Sequence, residues 1–214
     1  MLAKAEGAAA RTRASYGAAC ILLLSALASG ACSVPFLRPL HRPETVIKDD
    51  RVVGTWSSEG EMRVRAVVAK TDGAAYAATL DVWYEKEHKA TLTADLWLVR
   101  LGAATFADLL LDKKTRDRLV QSHGLLIVPM HQIFRLELDG DTLEVRSLDV
   151  DWLEKALRGG VVSLPHTFQP TEDGEIPVVT AATDEIERFF RENVDRAEAF
   201  DDATIFTRVK AARD

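Results

Sequence analysis

Histidine and carboxylate side chains are the residues through which this sequence could bind a metal ion or transfer protons. His123 and His131 are eight residues apart, across the predicted junction between a polar segment and a strand. A metal site needs a third ligand, and none lies nearby in the sequence. We therefore predict no metal site and no cofactor. His131 is expected to line a strand face, and His41 is expected to be solvated.

Carboxylates on apolar strands are the second group to consider. Asp95 and Asp108 interrupt segments that are otherwise apolar. Outward-facing polar positions explain them, whereas an inward carboxylate with a perturbed pKa would indicate a functional site. Asp149 and Asp151 could form a carboxylate pair, but capping of a short helix explains Asp151 better.

Motifs for nucleophilic, metal or nucleotide chemistry are absent from the sequence. It contains no Gly-x-Ser-x-Gly, His-Glu-x-x-His, Cys-x-x-Cys, P-loop or dinucleotide-binding motif. The net charge is −6, and removing the three cations and one anion of residues 1–32 leaves −8 for the remainder. An acidic chain without a basic cluster argues against nucleic-acid binding. We expect a protein that is not an enzyme.

The first 32 residues have the pattern of a signal peptide. Lys4, Arg11 and Arg13 precede an uncharged apolar run at 17–31, which is short for a membrane-spanning helix. Residues 29–32, Ser-Gly-Ala-Cys, resemble a bacterial lipoprotein signal. This resemblance implies that Cys32 is lipidated and anchors the protein in the cell envelope, at the outer membrane facing the periplasm. Ordinary cleavage after Ala28 and a retained transmembrane anchor are the alternatives.

The remainder divides into a flexible tether at 33–48 and one domain at 49–214. The prolines of the first segment and its lack of alternation predict the tether. Beyond it, apolar and polar residues alternate in eight or nine segments, and Asp-Gly pairs at 72–73, 139–140 and 173–174 mark hairpin turns. A short helix from Asp151 and an amphipathic helix over 183–197 precede a last strand at 203–209. We predict a mainly β fold, an up-and-down antiparallel β-barrel, with a two-sheet sandwich as the alternative.

The start of the first long strand carries a family resemblance. Gly54-Thr55-Trp56 resembles the Gly-x-Trp sequence that opens lipocalin-like (calycin) barrels. The resemblance implies that Trp56 closes the barrel floor and packs under Arg208. Residues 139–157 also resemble a set of uncharacterised bacterial lipoproteins.

Two functions are compatible with such a barrel. The first is binding of a small apolar or amphipathic ligand in the barrel cavity. The alternative is a filled barrel whose outer face, with Trp83, Trp97 and Leu101, contacts an envelope protein partner. The residues expected to line the cavity are Val64, Leu80, Val82, Tyr84, Leu96, Phe106, Phe134 and Leu136.

Overall fold

The computed structural model describes residues 33–60, 62–84, 87–117, 128–171 and 174–210. Within these ranges the strands are β1 (Pro35–Phe36), β2 (Val46–Ile47), β3 (Gly54–Ser58), β4 (Met62–Lys70), β5 (Tyr76–Tyr84), β6 (Glu87–Leu101), β7 (Ala104–Leu111), β8 (His131–Asp139), β9 (Thr142–Ser147), β10 (His166–Thr171), β11 (Gly174–Val179) and β12 (Thr204–Arg208). The helices are α1 (Val150–Arg158) and α2 (Thr183–Asn193), with 3-10 turns at Asp50–Val52 and Ala197–Ala199. Residues 113–117 are also helical.

Eight strands close into an antiparallel barrel. Strands β3 to β9 pair in sequence order, and β12 pairs with both β9 and β3, which completes the ring. Closure removes the two exposed edges that an open sheet of these strands would have. The predicted up-and-down barrel is confirmed, with a helix before the last strand, and the two-sheet sandwich is excluded.

Alternation and turn chemistry explain the barrel strands. On β4, Val64 is buried in the lumen, whereas its neighbours Arg63 and Arg65 are exposed on the outside. At the tip of the β8–β9 hairpin, Gly140 has φ +56°, a conformation that glycine adopts without steric cost. The hairpin predicted from Asp139-Gly140 therefore forms, and because Asp139 pairs with Thr142, its two loop residues are Gly140 and Asp141.

The segment predicted to be a flexible tether is instead packed on the barrel wall. Phe36 of β1 pairs with His131 of β8 on one side and, in parallel, with Val179 of β11 on the other. Val34, Phe36 and Leu40 are 3%, 0% and 0% exposed. Burial of these apolar side chains stabilises the segment by more than it loses through the hydrogen bonds that the prolines cannot donate. The segment is therefore held against the barrel, although its composition resembles that of a linker.

Two hydrophobic cores flank the barrel wall. The first lies in the lumen around Trp56, Tyr76 and Val82. The second lies outside the wall, where Phe190 of α2 packs against Phe106 of β7 and Phe189 packs against Trp152 of α1. This burial confirms the amphipathic helix predicted near the end of the chain.

Helix α1 begins earlier than its capping pattern predicts. Asp149, rather than Asp151, is the N-cap, and its Oδ1 accepts a hydrogen bond of 2.6 Å from Trp152 N. A carboxylate at this position satisfies a backbone amide that has no partner within the helix. In the described part of the chain, no helix combines the length and apolar character needed to cross a membrane.

Candidate functional site

A buried carboxylate lies on the outer wall of the barrel. Asp108 of β7 pairs with Trp97 of β6 and Ile133 of β8, and its neighbours Ala107 and Leu109 face the lumen. Asp108 therefore points outward, as predicted. Its side chain is nevertheless 0% exposed, because the N-terminal segment around Leu40 covers it.

Four donors surround this carboxylate. Oδ2 accepts hydrogen bonds from Leu40 N at 2.8 Å, His41 N at 3.1 Å and His41 Nδ1 at 2.7 Å. Oδ1 accepts from His131 Nδ1 at 2.6 Å. An ionised carboxylate can only accept, so each imidazole carries a proton on Nδ1 in this arrangement.

The electrostatics of the cluster keep Asp108 ionised. Burial by itself would raise the pKa of this carboxyl, but the hydrogen bonds from His131 and His41 outweigh it and lower the pKa to about 2. The cluster thus holds a negative charge in a dry environment at neutral pH, with two imidazoles as its neighbours.

The prediction that His41 is solvated is wrong, because an aromatic neighbour covers its ring. Its ring stacks on Trp97 with a centroid distance of 4.1 Å and an interplanar angle of 11°. The His41 side chain is 22% exposed, and that of His131 is 9% exposed. One nitrogen of each imidazole and one oxygen of Asp108 lie within 4.8 Å of one another.

The companions of His131 among the described residues are Asp108 and His41. His123, the histidine nearest to it in the sequence, lies outside the described residues. Because 67 positions separate His41 from Asp108, spacing along the chain cannot reveal this group.

A cleft of about 600 Å³ opens at the end of the barrel crossed by the Asp50–Val52 turn. It lies between the β6–β7 turn and the β8–β9 hairpin. The cleft crosses the rim of the barrel, because Leu101, Ala104 and Val194 of its lining belong to the core outside the wall. The apolar lining on the luminal side comprises Val52, Leu98, Leu136, Leu138 and Leu143. The last three leucines are partly exposed although they face inward, so the lumen is not completely filled at this end.

The rim of the cleft carries both signs of charge. Asp49 is paired with Arg51 at 2.6 Å, and Arg135 with Glu137 at 2.8 Å. The pKa of Asp49 is lowered, chiefly by its hydrogen bond to Arg51 and to a smaller extent by the charge of Arg100.

Two guanidinium groups at this rim remain available to a ligand. Arg100 and Arg191 are both exposed and both line the cleft. Among the described residues, neither side chain forms a hydrogen bond or an ion pair.

A second cleft of about 600 Å³ lies on the outer side of α2, next to the segment that follows α1. Its lining includes Val161, Pro165, Arg188 and Glu192. No residue of the lumen contributes to it, so it is a groove between surface elements rather than an opening of the barrel.

The residues predicted to line the cavity do not all face the lumen. Tyr84 is 41% exposed at the far end of β5, and Leu136 lines the cleft. Phe106 corrects the prediction: it faces outward and packs against Phe190 with a centroid distance of 5.0 Å. The parity of β7 places Phe106 on the same face as Asp108. The other predicted residues are buried on the inner face: Val64, Leu80, Val82, Leu96 and Phe134.

The residues proposed to contact a protein partner do not form an exposed patch. Leu101 is 2% exposed and belongs to the outer core, and Trp97 is covered by His41. Trp83 faces outward beneath Arg63, whose guanidinium carbon lies 4.4 Å from the ring centroid. The proposed lipidation residue, Cys32, lies outside the described residues.

Comparison of the chain with protein-family models, curated proteins and solved structures yields no match. The closed barrel and the contact between Trp56 and Arg208 are consistent with the resemblance of Gly54-Thr55-Trp56 to lipocalin-like barrels.

Proposed function

We propose that this protein is a lipid-anchored envelope protein that binds a small amphipathic ligand with an acidic headgroup, without catalysing a reaction on it. The observation that carries the proposal is the cleft of about 600 Å³, where luminal leucines lie near two arginines that form no hydrogen bond or ion pair with the described residues. This volume lies within the range of small-molecule sites in proteins.

The apolar part of the ligand is assigned to the luminal wall. Leu136, Leu138 and Leu143 present carbon surface that no other side chain covers completely. Transfer of an acyl chain onto this surface is favourable by about 25 cal/mol for each Å² removed from water. A chain entering from the rim would extend toward Leu98 and the packed part of the lumen.

The headgroup is assigned to the rim arginines. Arg100 and Arg191 can each donate hydrogen bonds to a carboxylate or phosphate, in the bidentate geometry that guanidinium favours. The other rim arginines, Arg51 and Arg135, already have acidic partners. An acidic headgroup can form an ion pair with these exposed guanidinium groups, whereas an uncharged headgroup cannot.

The position of the anchor agrees with a lipid ligand. Ser33, which follows Cys32 in the chain, donates a hydrogen bond of 2.5 Å from Oγ to Gln132 Oε1. Val34 and Phe36 are buried immediately afterwards. A lipid on Cys32 would therefore hold the barrel close to the membrane, where amphipathic molecules are concentrated.

Native mass spectrometry of the protein isolated from its own envelope tests the proposal. We expect an added mass that is lost on denaturation, and acylation at Cys32 that disappears in Cys32→Ser. Binding of a long-chain fatty acid is then compared with binding of the corresponding fatty alcohol. Arg100→Gln should weaken fatty-acid binding by about tenfold, the equivalent of one charge-assisted hydrogen bond, and leave alcohol binding unchanged.

Arg65→Gln is the matched control, since Arg65 is exposed on the outer face of β4, away from the cleft. An unmodified mass together with no binding of either probe would refute the carrier function. Equal affinity for the acid and the alcohol would refute the assignment of the headgroup alone.

A further inference from the structure

We propose that His41, Asp108 and His131 form a binding site for a divalent transition-metal ion, with Zn²⁺ as the representative ion. This site lies on the outer wall of the barrel, whereas the ligand cleft opens from the lumen. The inference is therefore independent of the proposed carrier function.

The donor set has the composition that such ions prefer. Two imidazoles and one carboxylate are common protein ligands of Zn²⁺, and a water molecule completes a tetrahedral site. The three protein ligand atoms already lie within 4.8 Å of one another. Small movements of the side chains would bring them to the bond lengths of about 2.0–2.2 Å that Zn²⁺ forms with nitrogen and oxygen.

Asp108 has one oxygen available for a metal ion. Oδ2 accepts two backbone amides and the His41 ring, so it is occupied by the N-terminal segment. Oδ1 has His131 Nδ1 as its partner at 2.6 Å. An ion bound to Oδ1 leaves the backbone hydrogen bonds of Leu40 and His41 intact.

Each imidazole can bind the ion through Nδ1 after a change of tautomer. The Nδ1 proton of each neutral ring would move to Nε2, and Nδ1 would then present its lone pair to the ion. No hydrogen bond is formed by Nε2 of His41 or His131 among the described residues, so this tautomer breaks no other contact. The partly exposed edge of His41 provides the path by which an ion enters.

The ligands are also held in place before binding. Asp108 and His131 lie on neighbouring paired strands, and the His41 ring is stacked on Trp97. Rigid support of this kind lowers the cost of assembling a metal site. Because His41 comes from the N-terminal segment and the other two ligands come from the barrel, a bound ion would tie that segment to the barrel wall.

Isothermal titration of the full-length protein, produced without a histidine tag and stripped with a chelator, tests the site. We expect one Zn²⁺ per chain, and a rise in the thermal unfolding temperature on addition of Zn²⁺, because an ion that binds only the folded state stabilises it. His41→Gln and His131→Gln should each weaken Zn²⁺ binding at least about tenfold and reduce the Zn²⁺-dependent rise correspondingly.

His88→Gln is the matched control. His88 also lies near a carboxylate, with its Nε2 3.6 Å from Asp81, but its side chain is 47% exposed and it is not part of the His41–Asp108–His131 cluster. It should bind Zn²⁺ as the unchanged protein does. Circular dichroism establishes that each variant is folded. Absence of saturable binding, or binding of equal strength in His131→Gln, would show that the cluster is held by hydrogen bonds alone and would overturn the proposal.

Discussion

Arg208 lies over the indole ring of Trp56, with its guanidinium carbon 4.1 Å from the ring centroid. The same guanidinium donates hydrogen bonds to the carbonyl oxygens of Val53, at 2.8 Å, and Arg51. Trp56 in turn donates from Nε1 to Val52 O at 2.8 Å. The last strand of the chain therefore fastens the Asp50–Val52 turn to Trp56, and the contact between Trp56 and Arg208 is the one that the resemblance to lipocalin-like barrels implied.

Replacing Arg208 by lysine tests how much the contacts of its guanidinium group stabilise the fold. Lysine keeps the charge but cannot reach both carbonyl oxygens while covering the indole. We expect the free energy of unfolding to fall by about 1–3 kcal/mol, from the cation–π contact and the charge-assisted hydrogen bonds together. Urea denaturation measures the change. Lys210→Ala, at an exposed position two residues later, should change stability by less than about 0.5 kcal/mol.

Glycine is required at position 54 by the same arginine. A Cβ atom on Gly54 would lie 2.6 Å from Arg208 Nη1, and the residue has φ +138°. We predict that Gly54→Ala lowers the free energy of unfolding by about 1–3 kcal/mol through backbone strain, with a further loss from the displaced guanidinium.

Gly102→Ala separates these two contributions. Gly102 has φ +63°, and a Cβ atom added there would meet no other atom within 4 Å, so this substitution reports backbone strain without a clash. In an Arg208→Ala background, Gly54→Ala should cost less than it does in the unchanged protein. Equal costs in both backgrounds would argue against a steric contact between positions 54 and 208.

Local patterns were sufficient to predict the barrel strands. The alternation over β4 and β5 assigns Val64, Leu80 and Val82 to the inner face, and the structure buries all three. The β8–β9 hairpin was predictable because the geometry of its turn depends on a few adjacent residues, among them Gly140 with its positive φ. Such features need no knowledge of distant parts of the chain.

Contacts between distant segments were not predictable in the same way. Asp108 is buried because the chain around Leu40 folds over it, and that segment was interpreted as a tether on account of its prolines. The apolar residues Val34, Phe36 and Leu40 between those prolines were the available signal. Phe106 was misplaced for a related reason: both faces of β7 are apolar, so alternation does not distinguish the lumen from the outer core.

Asp201 should destabilise the protein at neutral pH. Burial raises the pKa of this carboxyl, as does the neighbouring charge of Asp149, although Ser147 Oγ donates a hydrogen bond of 2.6 Å to it. A carboxyl whose folded-state pKa is raised favours folding below its unfolded pKa, and this contribution is lost as pH rises through the folded pKa.

Asp201→Asn removes the charge and keeps an oxygen that can accept from Ser147. We expect a gain in stability below about 1 kcal/mol at pH 7, since the site is partly exposed to solvent. The difference should shrink as the pH falls below the pKa of the native carboxyl. Asp202→Asn, at an exposed position, has the same change in charge and should give a smaller gain. A loss of stability at pH 7 in Asp201→Asn would contradict the assigned sign.

Substitution of Phe36 tests whether the N-terminal segment is part of the folded domain. Its ring is 0% exposed and lies 5.8 Å from that of Phe190, centroid to centroid, in the core outside the barrel wall. Phe36→Ala should lower the free energy of unfolding by about 3–5 kcal/mol, through lost burial and the cavity left behind. Arg38→Ala, two residues later and exposed, should change it by less than about 0.5 kcal/mol.

Equal, small effects of the two substitutions in urea denaturation would mean that the segment is a detachable tether after all. A large effect confined to Phe36 would mean that the N-terminal segment is part of the folded domain.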